Sequence, residues 1–430
     1  MISISSILSR EILDSRGRPT IETLVRLSDD SIGKAAVPSG ASTGTNEAVE
    51  LRDGDQNRFM GMGVLKAIDN IDTKITPQLK GLSPFNQIDL DKELVDLDGT
   101  DDKSNLGANA MLSVSLAICH AAAASMKIPL YKYLSAGDQI TVPVPMFNIL
   151  NGGAHALNST DIQEFLIMPS GLPTFREAMR AGVEIYQALK SLLVARGLNT
   201  IVGDEGGFAP TLDSNRSALE IIVDSIEKAG YVPGTDCHLG LDVAATGLLQ
   251  RGKYYLPRED RLLTSDELIN RYKNWSLEFP LLSIEDGLSE DDWDGWCKMS
   301  REIGSNVQLV GDDIYTTYPG LINKGINLNA SNAVLLKPNQ IGTLTETIEA
   351  FNIAKGANWG TILSHRSGET EDTTIADLSV ALNVGQIKAG APCRSERVAK
   401  YNRLLMIEKE IGNKVIYSGM QAYNHLRGEG

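Results

Sequence analysis

Eight short apolar runs, each closing on a charged or hydrogen-bonding side chain, recur through the last two-thirds of the sequence. They lie at 162–164, 201–205, 239–242, 282–285, 309–312, 334–337, 362–365 and 386–388. Their closing residues are Glu164, Glu205, Asp242, Glu285, Asp312, Lys337, His365 and Lys388. Stretches with a helical apolar period fall between many of them, at 174–196, 215–229, 264–275, 343–355 and 373–383. Short continuous apolar runs suit strands buried on both faces, and strands alternating with helices imply a parallel sheet. About eight such units close into a barrel, whose chemistry gathers at the C-terminal ends of the strands. That is where the charges fall. An open doubly wound sheet is the other arrangement this alternation permits, but it calls for a glycine-rich phosphate loop after its first strand, and none stands there.

Before the series the pattern differs. Residues 20–26 alternate polar and apolar side chains, as half-buried antiparallel strands do, and helical patterns follow at 63–79, 87–96 and 109–127. Small residues fill 38–44, a loop composition, and 137–144, with Pro143 and Pro145, reads as a crossing between domains. At 430 residues the chain exceeds one ordinary domain. The expected organisation is a smaller α+β domain over 1–135, antiparallel strands then helices, followed by an α/β barrel of the (β/α)8 type over 136–430.

Composition limits the functions open to such a chain. A net charge of −15 argues against a nucleic-acid or anionic-membrane surface, since phosphate binding needs clustered Lys and Arg. The stretch 108–126 is apolar, but Asn109, His120, several serines and many small side chains fit a buried helix better than a membrane span. Arg10 and Glu11 follow the apolar start at once, so no signal peptide is readable. Cys119, Cys237, Cys297 and Cys393 form no C-x-x-C pair and read as reduced thiols of a cytoplasmic protein.

A single acid at a strand end is commonly a helix cap or an ion-pair partner. Asp242, Glu285 and Asp312 close three different strands, and three negative charges at one barrel mouth are strongly unfavourable without a cation between them. Oxygen-only ligation suits Mg²⁺ rather than zinc. Glu205 sits in the glycine-flanked turn 203–207; if it faces Glu164, repulsion raises one of the two pKa values and keeps a proton available near neutrality. Lys337 and Lys388 also close strands, and a lysine crowded by cations loses its proton more readily and can serve as a base. The run 364–370, carrying Arg366 and Ser367, suits a phosphate. His155 rides on the glycine-containing loop 151–155, where an imidazole is more often structural than catalytic.

Taken together, these stretches resemble the enolase family over nearly the whole chain. The resemblance is carried by Ser-Arg-Gly-Arg-Pro-Thr at 15–20, Pro-Ser-Gly-Ala-Ser-Thr-Gly at 38–44 and Asn-Gly-Gly-Ala-His at 151–155. Gly-Asp-Glu-Gly-Gly-Phe-Ala-Pro at 203–210, Ser-Ile-Glu-Asp at 283–286 and Leu-Leu-Lys-Pro-Asn-Gln-Ile-Gly at 335–342 add to it. Ser-His-Arg-Ser-Gly-Glu-Thr-Glu-Asp at 364–372 is the most specific of all.

The resemblance implies a hydro-lyase of glycolysis and gluconeogenesis that interconverts 2-phosphoglycerate and phosphoenolpyruvate. Lys337 would abstract the C2 proton, and Glu205, assisted by Glu164, would protonate the departing C3 hydroxyl. Asp242, Glu285 and Asp312 would hold one Mg²⁺; a second, arriving with the substrate, would take Ser42 from a closing loop. His155, Gln163, His365, Arg366, Ser367 and Lys388 would line the substrate site. A barrel with one antiparallel strand near its start is also implied, as is a homodimer, assembled into octamers in some bacteria. Some relatives associate with RNA-degrading assemblies or occur at cell surfaces; a non-catalytic scaffold on the same fold is therefore the alternative, although every expected catalytic residue is present. Another dehydratase or racemase of the superfamily should lack the phosphate-binding run 364–367 and the serine at 42. Leu157 departs from the more polar residue expected in its loop, and 298–305 and 315–320 look individual but are expected to lie outside the site.

Overall fold

The structure, a computed structural model, describes residues 1–40, 44–135, 137, 139–156 and 158–426. Three strands open the chain, β1 (Ile4–Leu13), β2 (Pro19–Leu27) and β3 (Ile32–Ala36), in an antiparallel meander of that order. Helix α1 (Gln87–Asp98) follows, its first turn capped by Asn86, whose side chain accepts the Asp89 N–H, and its end closed by left-handed Gly99. The apolar stretch becomes α2 (Ala108–Ser125), with 83% of its length buried. Its small side chains have a packing reason: a Cβ on Gly33 would stand 2.1 Å from both Ala117 O and Ala121 N, so β3 and α2 meet backbone to backbone.

The remainder closes a barrel of eight strands: β4 (Val144–Asn151), β5 (Glu164–Met168), β6 (His238–Asp242), β7 (Leu281–Glu285), β8 (Gln308–Gly311), β9 (Ala333–Leu336), β10 (Gly360–Ser364) and β11 (Gln386–Lys388). All neighbours pair in parallel except β5, which runs antiparallel to both β4 and β6. Helices α3 (Phe175–Ala195) and α4 (Asn215–Lys228) both lie between β5 and β6. The outer ring continues with α5 (Ser265–Glu278), α6 (Trp293–Ile303), α7 (Pro319–Leu328), α8 (Leu344–Gly356), α9 (Thr374–Ala381) and α10 (Ser395–Ile411). Met146, Leu166, Met168, Val310, Leu335 and Ile362 belong to one buried apolar cluster inside the barrel. Below the mouth, Gln308 and Gln386 exchange hydrogen bonds of 3.0 and 2.7 Å, satisfying two buried amides with each other.

The fold class is as expected, with three differences of detail. The run 201–205 is not a barrel strand: Ile201 is 71% exposed, and Val202 makes only an isolated bridge to Phe208. Its place is taken by β4, which begins in the segment read as a crossing; its prolines mislead because proline is tolerated at the start of a strand. Glu164 begins β5 instead of ending a strand. Since β5 runs backwards, its beginning lies at the same mouth as the other strands' ends. A three-stranded hairpin sheet at Leu249–Gln250, Lys253–Leu256 and Arg261–Leu263, and helices α6, α7 and α10, were not anticipated.

Candidate active site

The barrel mouth opens into a cavity of about 680 Å³. His155, Gln163, Glu164, Glu205, Asp242, Asp312, Lys337, His365, Arg366, Ser367 and Lys388 all line it. Glu285 lies just beneath, bound to Lys388. Ser42 and Leu157 lie outside the described residues. The strand ends account for the convergence, because successive strands deliver their last side chain to one rim.

The centre is an ionic lattice. Lys388 Nζ, on β11, reaches Asp242 Oδ2 at 2.8 Å, Glu285 Oε1 at 2.9 Å and Glu164 Oε2 at 3.2 Å. Lys337 follows β9 directly and pairs with Asp312. Burial alone would lower the Lys337 pKa, but the Asp312 and Glu285 carboxylates together outweigh it and hold the ammonium up. The expectation of a lowered Lys337 pKa counts a Mg²⁺, Arg366 and a second lysine as its neighbours; the ion pair with Asp312 acts in the opposite direction. Lys388 is likewise held well above the ordinary lysine range, its burial overcome by Asp242, Glu164 and Glu285.

Acid remains in excess. Burial, then Asp242, pushes Glu285 well above the usual carboxylate range. Asp286 is raised by burial and by Asp313, and Asp313 is pushed up to about 7 by burial and Asp312. Five carboxylates, Asp242, Glu285, Asp312, Glu164 and Glu205, face two ammonium groups, and the imbalance suits a hard cation with oxygen ligands. Asp286, Asp312 and Asp313 bring one oxygen each within 4.8 Å of one another, and His155, Glu164 and Glu205 form a second close set. Asp242, Glu285 and Asp312 do not make such a set among the described residues; the two lysine ammonium groups neutralise them instead. Charge and donor type therefore fit a metal, while the expected triad reaches it only by exchanging ion pairs.

Glu164 and Glu205 do face each other. Both are buried, and burial followed by the Glu205 charge raises Glu164 well above the carboxylate range. Glu205 is pulled well below it, because His365, His155 and Arg397 outweigh its burial. The two carboxyls are thus pushed apart, Glu164 upward and Glu205 downward, as mutual repulsion across a buried pair predicts.

Residues outside the expected set support the rim. Asp286 accepts the N–H groups of Asp312 and Asp313, each at 3.0 Å, and so fixes the chain that follows β8. Thr317 Oγ accepts the Lys337 N–H at 2.9 Å and donates to Gln340 Oε1 at 2.6 Å. The segment 315–320 was expected to lie away from the site, but this threonine touches the backbone of the expected base. Thr316 and Thr317 hold φ of 47° and 58°, a strained conformation for β-branched residues. Arg366 pairs with Glu47 of the N-terminal domain, Nη1 to Oε2 at 2.8 Å, and with Asn339 at 3.2 Å. Each of these acts through another residue's backbone or charge, so composition and period carried no signal for them; Asp286, Asn339 and Gln340 alone stand inside the motifs that carry the family resemblance.

Comparison with known families agrees with this architecture. A family model described as the enolase N-terminal domain matches residues 4–134, and one described as the enolase C-terminal TIM barrel domain matches residues 139–426.

Proposed function

The chain belongs to the enolase family, and from that premise we propose that it dehydrates 2-phosphoglycerate to phosphoenolpyruvate, reversibly and with Mg²⁺. The family supports a hydratase or dehydratase role, hence a lyase, and its members usually bind metal. The observation that favours the specific reaction is the placing of a lysine and a glutamate pair around one cavity that also holds Arg366 and Ser367. A base, an acid and a phosphate cradle are what a phosphorylated hydroxy acid requires.

In the proposed reaction Lys337 takes the C2 proton, and the electrons of that C–H bond pass into the adjacent carboxylate. The C3–O bond then breaks, its electron pair leaving with the hydroxyl, which takes a proton from Glu205 and departs as water. Glu164 holds the proton of the pair at rest and supplies it to Glu205. Arg366 and Ser367 orient the phosphate, with Lys388, Gln163, His155 and His365 completing the wall. Asp242, Glu285 and Asp312 would hold a divalent cation, with Ser42 offered to a second, and the metal would supply positive charge for the substrate carboxylate. Lys337 is held as an ammonium while it is paired with Asp312, so its role as base requires that ion pair to open.

We also propose a cytoplasmic location and a self-associating chain, at least a dimer. Support for self-association comes from Leu8 and Leu13, 64% and 58% exposed on the edge strand β1. Incubation with 2-phosphoglycerate and Mg²⁺, followed by excess chelator, tests the reaction. Ultraviolet absorbance should rise as the enol double bond forms and stop rising when chelator is added. No rise from a folded protein would remove the proposal.

A further inference from the structure

The imidazole of His365 lies between a cation and a carboxylate. Its Nδ1 is 2.6 Å from Nη1 of Arg397, and its Nε2 is 3.4 Å from Oε2 of Glu205. A guanidinium carries donors only and stays protonated, so Nδ1 must accept. The ring proton is left to Nε2, the nitrogen 3.4 Å from the carboxylate. Asn148 donates its Nδ2 to the same oxygen at 3.0 Å. Oε2 of Glu205 thus faces two donors, and Oε1 remains as the oxygen able to carry an acidic proton.

Arg397 is held too firmly to be a casual neighbour. It is 0% exposed at the start of α10, and its guanidinium also donates to the carbonyls of Arg366, Ser367 and Asp204 at 2.5, 2.6 and 3.2 Å. Those carbonyls belong to the phosphate-binding run and to the residue before Glu205, so one side chain ties both walls of the site to the imidazole. Charge agrees with geometry: burial, with Arg397 adding to it, brings His365 down to about 4 against the pull of Glu205. The ring is neutral at pH 7 and has a single N–H to place.

We propose that Arg397 is a positioning residue that fixes the Nε2–H tautomer of His365 and, with Asn148, confines the transferable proton of Glu205 to Oε1. The inference rests on the reading of Glu205 as the acid. Oε1 would then be the atom that gives its proton to the departing hydroxyl, while His365 and Asn148 steady the oxygen left behind.

Nitrogen-15 spectra of the full-length protein labelled at its five histidines test the tautomer directly, with His365→Gln identifying the signal. The wild-type spectrum at pH 7 should show His365 with Nε2 protonated and Nδ1 bare; an Nδ1–H ring or an imidazolium would overturn the proposal. This readout needs no turnover, so its failure is separable from failure of the dehydration assignment, which the absorbance assay tests. Arg397→Met should admit the Nδ1–H form and lower kcat about 100-fold while sparing C2 proton exchange. Arg397→Lys, which keeps one donor, should restore the tautomer and most of the rate. Loss of exchange in step with turnover would show Arg397 to be a purely structural residue. If Arg397→Met does not fold, the wild-type spectrum still decides.

Discussion

Lys337 and Glu205 divide the proposed chemistry into two events that substitution can separate. Lys337→Ala should abolish exchange of the C2 proton with solvent, followed by deuterium loss from labelled substrate, and turnover with it. Glu205→Gln should leave that exchange measurable and lower turnover by at least about 100-fold, since only the second step needs an acid. Full turnover by either variant would sink the assignment. At this scale the residues legible in the sequence were those whose chemistry is their own: carboxylates, lysines and an arginine at the ends of apolar runs or in a specific motif. Asn148, Thr317, Glu47 and Arg397 were not legible, because each matters only through the atom it touches. The ion pair of Lys337 with Asp312 was not legible for a related reason: it depends on the register between β8 and β9.

Among the elements, the join between α3 and β4 is the closest approach of a helix to the barrel wall that a single glycine decides. A Cβ at Gly182 would stand 2.3 Å from the Phe147 ring. Two effects oppose each other in Gly182→Ala. Alanine in a helix interior is favoured over glycine by about 1 kcal/mol, whereas overpacking a filled core costs about 1–3 kcal/mol. The contact is far inside van der Waals distance and both partners are buried, so overpacking should win and urea unfolding should show a net loss of about 1 kcal/mol. A more stable variant would mean that α3 shifts without cost. The strand most visible to periodicity is the one buried on both faces, which explains why β6 to β11 were readable. β4 hid behind its prolines, and the reversed direction of β5 leaves no trace in an apolar run, since such a run reads the same either way. Helices α6 and α7 were missed although both turn a buried face inward: Trp296, Met299 and Ile303 on the first, Ile322 and Gly325 on the second.

For the whole molecule, light scattering should give at least twice the mass of one chain, and a monomer at micromolar concentration would remove the proposed self-association. The two domains are already interlocked within one chain. Ser39 and Gly368 exchange backbone hydrogen bonds of 2.8 and 3.0 Å, Lys103 pairs with Glu346 at 2.9 Å, and Glu47 holds the Arg366 guanidinium. The arginine proposed to grip the phosphate is thus answered by an acid more than three hundred residues away in the chain. An incoming phosphate has to compete with that acid or share the guanidinium with it. The barrel is therefore not a portable module. Grafted elsewhere without residues 1–135, it would keep its strand ends and lose Glu47, the counterpart of its Arg366 guanidinium, so recombination of this fold with other partners would have to carry both pieces together.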